Sequence, residues 1–323
     1  MTASIVEKNS SIRLGHRFKA MGGEFQLLCF PQSYHSKSQV LNIFKEAEKE
    51  VKRIESKFTD FKESPFNEIN KYSGIRPVPV DEEIWNLVLR SIEISEQSKG
   101  AFDITYASVG HLWRKAKKEN RTLSLKERTE GHKYINYKNI ELNEMEHSIF
   151  LPSKKMKIGL GGIGKGYAVD KVFELLKSEG IHNFYVNGSG DIRVHSHSCA
   201  PRPWRIGIKN PFSKSVERSV GFLQLKKGSV ASSGSYIHYN SSREGHSDHH
   251  ILDPKSGRSR SELITTTVVA DNAIESDTTA TILMNYSSKK AIDYLNERDL
   301  LGFVIDMKGK THLSSKAIQV FGM

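Results

Sequence analysis

Four short segments of the chain bring together residue types that could do chemistry. The first is 157–166, KIGLGGIGKG, where glycines crowd ahead of a helix. Such glycines let backbone amides approach a phosphate, and a helix N-terminus adds positive potential. Gly159, Gly161 and Gly164 satisfy GxGxxG, yet no acidic residue closes a following strand about 20 residues on, as dinucleotide binding requires. Gly159 with Gly164-Lys165 satisfies most of a P-loop, but Gly166 stands where a Ser or Thr should bind magnesium. Each pattern lacks the part that carries its chemistry, and a ligand-free helix-entry turn stays open as the alternative.

The second segment is 249–257, HHILDPKSG, in which an imidazole near neutrality could take the proton of an alcohol nucleophile. A plain polar loop at the Asp-Pro turn is the competing meaning. In the third, 275–281, Asp277 and Thr281 lie one helical turn apart, a hard-oxygen pair suited to Mg²⁺, which completes its shell with water and phosphate. Helix capping by Ser276 or Asp277 would explain the same residues without a metal. The fourth, 100–105 (GAFDIT) with Trp113 downstream, reads alone as a helix exit into a turn. His195, His197, His238 and His246 show no zinc spacing and read as scattered surface residues.

Mixed helices and strands must position these segments. Val40, Ile43, Phe44, Ala47, Val51 and Ile54 recur at three- and four-residue steps and predict a long amphipathic helix over 38–58. A second is expected over 82–98, a third over 167–180 closed by Gly180, and further helices over 277–285 and 289–298. Strands are expected at 25–30, 182–186, 204–208, 221–225, 265–270 and 302–306, with a tight NGSGD turn after 186. This is an α+β (mixed α/β) chain, its mixed sheets flanked by helices, with a loose segment at 1–12 and one continuous domain over 13–323.

Composition narrows the function class. At 37% hydrophobic and 26% charged, the 323 residues fit a globular protein. The net charge of +11 favours anionic partners without choosing among them. The basic run Arg114 to Lys118 lacks interleaved aromatics and argues against nucleic-acid binding. Two cysteines, Cys29 and Cys199, exclude a disulfide scaffold and a thiolate zinc module. No apolar run is long enough for a transmembrane segment and the amino terminus shows no signal peptide, so the expectation is cytoplasmic.

Taken together and in order, the segments resemble the ApbE family of FAD:protein FMN transferases over about residues 18–308. Met21-Gly22-Gly23 resembles the family's MGT turn, and 100–105 its GAFDxT. Segment 159–170 is similar to DLGGIAKGYAVD, 187–191 to NxGGD, and 232–236 to TSGxY. Likewise 250–257 is similar to HIIDPxTG and 276–281 to ADALxT, with the Asp-to-Thr step of four intact. Departures are Gly159 for the signature's leading Asp, Phe61 for the tyrosine of LSxY, NGSGD for the turn, and Ser256 for Thr.

The resemblance implies a single flavin-transferase domain and a reaction. FAD is the substrate, its FMN moiety passes to a Thr or Ser hydroxyl of an acceptor flavoprotein through a phosphoester, and AMP leaves. Mg²⁺ is implied as cofactor, held by Asp277, Thr281 and the Gly164 carbonyl. His250 is the implied base. Met21, Phe61, Ala101, Phe102, Asp103, Gly161, Gly162, Lys165 and Ile251 are implied to meet the flavin nucleotide. The departures leave two alternatives open: an FAD pyrophosphatase giving FMN and AMP, and a non-catalytic FAD-binding protein.

Overall fold

The computed structural model describes residues 13–197, 199, 201–213, 219–235, 239–241, 247–249, 251–258 and 260–321; the segment 1–12 expected to be loose lies outside them. The chain opens with β1 (Leu14–Ala20) and β2 (Gly23–Cys29), joined by the two-residue turn Met21-Gly22. Both turn residues have left-handed φ, 52° and 76°, the backbone of a type I′ hairpin. β1 went unpredicted because His16, Arg17 and Lys19 interrupt its apolar alternation.

α1 (Lys37–Phe58) begins at a capping box in which Ser36 and Gln39 satisfy each other's amides. It buries Val40, Ile43, Phe44, Ala47, Val51, Ile54 and Phe58, the stripe that its periodicity predicts. Each large apolar side chain so buried contributes about 1.5–3 kcal/mol. There follow α2 (Pro65–Lys71), β3 (Val78–Pro79), α3 (Glu82–Gln97), α4 (Ala107–Lys118), α5 (Leu125–His132), β4 (Glu141–Asn143), β5 (Ser148–Phe150) and α6 (Gly164–Ser178). Next come β6 (Phe184–Gly188), β7 (Asp191–His195), β8 (Trp204–Lys209), β9 (Ser219–Leu225), β10 (Gly228–Gly234), β11 (Tyr239–Ser241), β12 (Ser247–His249) and β13 (Leu263–Ala270). The chain ends with α7 (Ala273–Met284), α8 (Ser288–Glu297), β14 (Leu301–Asp306), β15 (Thr311–Leu313) and α9 (Ser315–Phe321).

One eight-stranded sheet, ordered β1-β2-β6-β7-β10-β13-β14-β15, organises the molecule, and every pairing in it is antiparallel. Helices packed on antiparallel strands make this an α+β fold. On one face the sheet packs against α1, α6 and α7 through Phe25, Leu27, Phe184, Val186, Val172 and Leu283. On the other it packs against the β8–β9 hairpin and α9 through Ile192, Trp204, Ile206, Phe303 and Ala317. β13 is buried along nearly all its length, as a central strand covered on both faces must be.

The strand expected at 182–186 lies at Phe184–Gly188, and two expected helix starts shift by several residues. α6 starts at Gly164, inside the glycine-rich segment, and Gly180 follows it with φ 76°. α7 starts at Ala273 with Asn272 as its cap, the side chain accepting from the Glu275 amide at 2.9 Å. Capping by Ser276 or Asp277 is therefore corrected: both are buried inside the helix, and Asp277 projects from its second turn.

Candidate active site

Two hairpin tips and two helix starts meet at one end of the sheet. The β6–β7 turn is again of two residues, Ser189 and Gly190, with φ of 57° and 107°. It is closed by Asn187, whose Oδ1 accepts from the Gly190 amide at 2.8 Å. The Ser189 amide bonds to the Glu24 carbonyl at 2.9 Å, which brings this tip against the start of β2 beside the Met21-Gly22 turn. Met21 is held in its uncommon backbone conformation by its amide donating to Glu55 Oε1 at 2.8 Å.

These tips border a cavity of about 1130 Å³, large enough for a ligand of several linked ring systems. Of the residues implied by sequence, it brings together Met21, Ala101, Phe102, Asp103, Gly161, Gly162, Lys165, Ile251, Asp277 and Thr281. Gly162 sits where a Cβ would come 3.2 Å from both Phe102 and Thr281, a tight contact that those two side chains would have to yield to. Gly164 lies just behind, its amide donating to the Leu160 carbonyl at 2.7 Å.

Phe61 is not brought to the cavity wall. It is 75% exposed, and the Arg114 guanidinium lies 4.4 Å from its ring centre. His250, and with it His238 and His246, lies outside the described residues; its neighbour Ile251 is buried at the cavity wall. His195 packs against Phe173 and Phe184, and His182 against His197. No group of three metal-binding side chains occurs among the described residues.

The glycine-rich segment does not present a simple row of free amides. Ile163 and Gly164 donate to the Leu160 carbonyl, and Gly166 donates to Asp277 Oδ2 at 3.0 Å. The anion at this helix start is thus one of the protein's own carboxylates. Lys165 forms an ion pair with Asp191, a residue that sequence reasoning saw only as the end of a turn. Burial works against the Lys165 charge, but the Asp191 and Asp277 carboxylates outweigh it and hold the ammonium above the usual lysine range. Burial and the Asp277 charge push Asp191 up to about 7 against the pull of Lys165.

Asp103 faces inward and spends its carboxylate on structure. Oδ1 accepts from the Thr105 amide and hydroxyl at 2.8 and 2.6 Å, and Oδ2 from the Tyr137 amide at 2.9 Å. Burial nevertheless leaves its pKa raised. These bonds tie the turn after Phe102 to Thr105 and to the Tyr137 backbone.

The donor set fits a magnesium ion. Asp277 and Thr281 stand on one face of α7 at the cavity wall, with Ser233 Oγ 3.5 Å from Thr281 Oγ1. A carboxylate with hydroxyl oxygens beside it is a hard, incomplete set of the sort Mg²⁺ completes with water and phosphate.

A lysine paired with a buried carboxylate on the wall of a large cavity is the kind of arrangement that active sites collect, and the class it points to is an α+β enzyme. The chain belongs to the ApbE family, whose model matches residues 21–304. A relative from Klebsiella pneumoniae, an FAD:protein FMN transferase, is 27% identical over 262 residues, 80% of each chain. The ApbE protein of Thermotoga maritima is 27% identical, with a TM-score of 0.86 over 97% of this chain and all of that one. The Pseudomonas stutzeri flavinyl transferase ApbE, at 19% identity, has the same fold, with a TM-score of 0.82 over 97% of this chain and 98% of that one.

Proposed function

We propose that the protein transfers the FMN moiety of FAD to a Thr or Ser hydroxyl of an acceptor flavoprotein. Atoms balance simply: the acceptor O–H gives up its proton, its oxygen bonds the FMN phosphorus, the pyrophosphate P–O bond breaks, and AMP departs. The observation that carries this reading is the cavity of about 1130 Å³ with Asp277, Thr281 and Lys165 on its wall, in a chain whose relatives bear the transferase name.

Asp277, Thr281 and the Gly164 carbonyl would hold Mg²⁺, which when bound neutralises pyrophosphate charge. Positioning and electrostatics dominate phosphoryl transfer, and the chain's own groups supply both. Lys165, kept charged by its carboxylate neighbours, adds a fixed positive group beside the phosphates. Phe102 and Met21 offer apolar surface to a flat ring. His250 is the proposed base for the acceptor hydroxyl, an imidazole being suited to hold that proton near neutral pH.

The test is incubation with FAD, Mg²⁺ and a candidate flavoprotein acceptor. A mass gain of one FMN on the acceptor with stoichiometric AMP is the expected result. FMN released to water at the same rate without acceptor would make the protein a pyrophosphatase. FAD bound but never cleaved would make it a binding protein.

A further inference from the structure

Gly159 is glycine for a reason that its backbone does not supply. Its φ lies outside the left-handed region, so any residue could adopt its conformation. What excludes a side chain is space. A Cβ on residue 159 would come 2.9 Å from Asp60 Oδ2 and 3.1 Å from the Ala107 Cβ. Asp60 cannot easily yield, since Arg114 Nη2 donates to that same oxygen at 2.7 Å and the Asp60 side chain is only 9% exposed. Arg114 is gripped in turn by the face of Phe61.

The network continues into the site. The Tyr106 hydroxyl stands against Gly161, where a Cβ would come 2.5 Å from it, and the charges of Asp60 and Arg114 both act on that hydroxyl. Tyr106 and Gly161 both line the cavity. The signature that segment 159–170 resembles opens with Asp; in this chain a carboxylate reaches the same place from the connection between α1 and α2.

We propose that Asp60 is a positioning residue for the glycine-rich loop: its carboxylate fills the space of a residue-159 side chain and, through Arg114 and Tyr106, holds Gly161 against the ligand. The proposal rests on the FAD-transfer reading for its effect on ligand but not for its geometry. Moving the carboxylate back to residue 159 should therefore relieve the loss caused by removing it from residue 60, because Arg114 can pair with either.

The experiment compares wild type, Asp60→Gly, Gly159→Asp and the double variant by unfolding midpoint without ligand, by FAD fluorescence titration, and by kcat and KM for FAD. Asp60→Gly should weaken FAD binding roughly 10- to 100-fold, the scale of a misplaced positioning group, while kcat at saturating FAD stays within about 3-fold. Gly159→Asp alone should lower the unfolding midpoint, with two carboxylates contending for one space. The double variant should regain both midpoint and FAD affinity. Strictly additive losses in the double variant, or an Asp60→Gly protein that binds FAD as wild type does, would overturn the proposal. If wild type itself fails to bind FAD, the transfer reading falls, and the unfolding midpoints alone decide whether residues 60 and 159 share one space. Should Gly159→Asp not fold, Gly159→Ala with and without Asp60→Gly asks the same question with a single methyl.

Discussion

The Gly166 amide of α6 donates to the Asp277 carboxylate of α7 at 3.0 Å. In return Asp170 of α6 accepts from the Ala273 and Ile274 amides at the start of α7, at 2.8 and 2.9 Å. Each helix thus satisfies amides that the other leaves orphaned at its N-terminus. The reciprocal arrangement sets the crossing that places Asp277 and Thr281 on the cavity wall.

Gly166→Ala should break this crossing. A Cβ there would stand 2.5 Å from the Ala273 carbonyl oxygen and 3.0 Å from the Asp277 Cβ, and the nearer obstacle is backbone. Overpacking of this kind costs about 1–3 kcal/mol. Urea unfolding should show a lower midpoint with an unchanged m-value, and FAD cleavage should fall with it. An unchanged midpoint would mean that the helices part freely here.

Asp277→Asn separates structure from chemistry. Asparagine can still accept from the Gly166 amide, and Asn272, not residue 277, caps α7. Stability should therefore change by less than about 1 kcal/mol, the net worth of an ordinary hydrogen bond. Removing the charge should cost at least about 100-fold in turnover, the scale of losing one preorganised electrostatic group, and should raise the Mg²⁺ midpoint. Turnover at the wild-type rate and midpoint would exclude Asp277 as a ligand.

The same residues show how far the sequence was readable. The apolar stripe of α1 and the Asp277-to-Thr281 step are local patterns, and both were legible. The start of α6 was not, because Gly164 and Gly166 are poor helix formers and the carboxylate that satisfies Gly166 lies 111 residues away. Asp191 read as a turn residue because its partner Lys165 is 26 residues earlier, across a helix and a strand. Asp60 carried no signal at all. Its meaning comes from Arg114, 54 residues on, and from a side chain that residue 159 lacks. Phe61 shows the converse: matched by pattern, it lies exposed outside the cavity with its ring against the Arg114 guanidinium.

A pH dependence should come from Glu83. It accepts from Arg53 Nη1 and Nη2 at 2.7 Å, from Lys57 Nζ at 2.6 Å and from the Tyr167 hydroxyl at 2.6 Å, tying α3 to α1 and α6. Hydrogen bonds from Arg53 lead the effects that outweigh burial and hold its carboxyl well below the usual range. A folded value below the unfolded one means that the ionised form stabilises. The contribution is complete above the ordinary glutamate value of 4.5 and fades as pH falls toward the depressed folded value. Glu83→Gln should cost about 1–3 kcal/mol at pH 7, the range for hydrogen bonds to a charged group. The gap from wild type should narrow by pH 3. Urea midpoints at pH 7, 5 and 3 measure it, and a gap that stays constant with pH would assign the loss to shape rather than charge.

The Lys165–Asp191 pair should behave as a buried charge pair whose members cannot be removed singly. Asp191 is 1% exposed and faces the charge of Asp277 as well as that of Lys165. Lys165→Met would leave the Asp191 and Asp277 carboxyls together with no ammonium between them, so that Asp191, already raised to about 7, must take up a proton or stand uncompensated. Breaking such a pair from one side is costly because a charge is left uncompensated. About 2–4 kcal/mol is expected, discounted from the fully buried case because the Lys165 side chain is 32% exposed. Asp191→Asn in the Lys165→Met background should recover stability to within about 1 kcal/mol of wild type, since replacing both partners avoids the stranded charge. The cycle belongs in chelator-containing buffer, so that no divalent cation stands in for the missing ammonium. Losses that simply add would show that the two residues contribute separately and that the pair does not organise the start of α6.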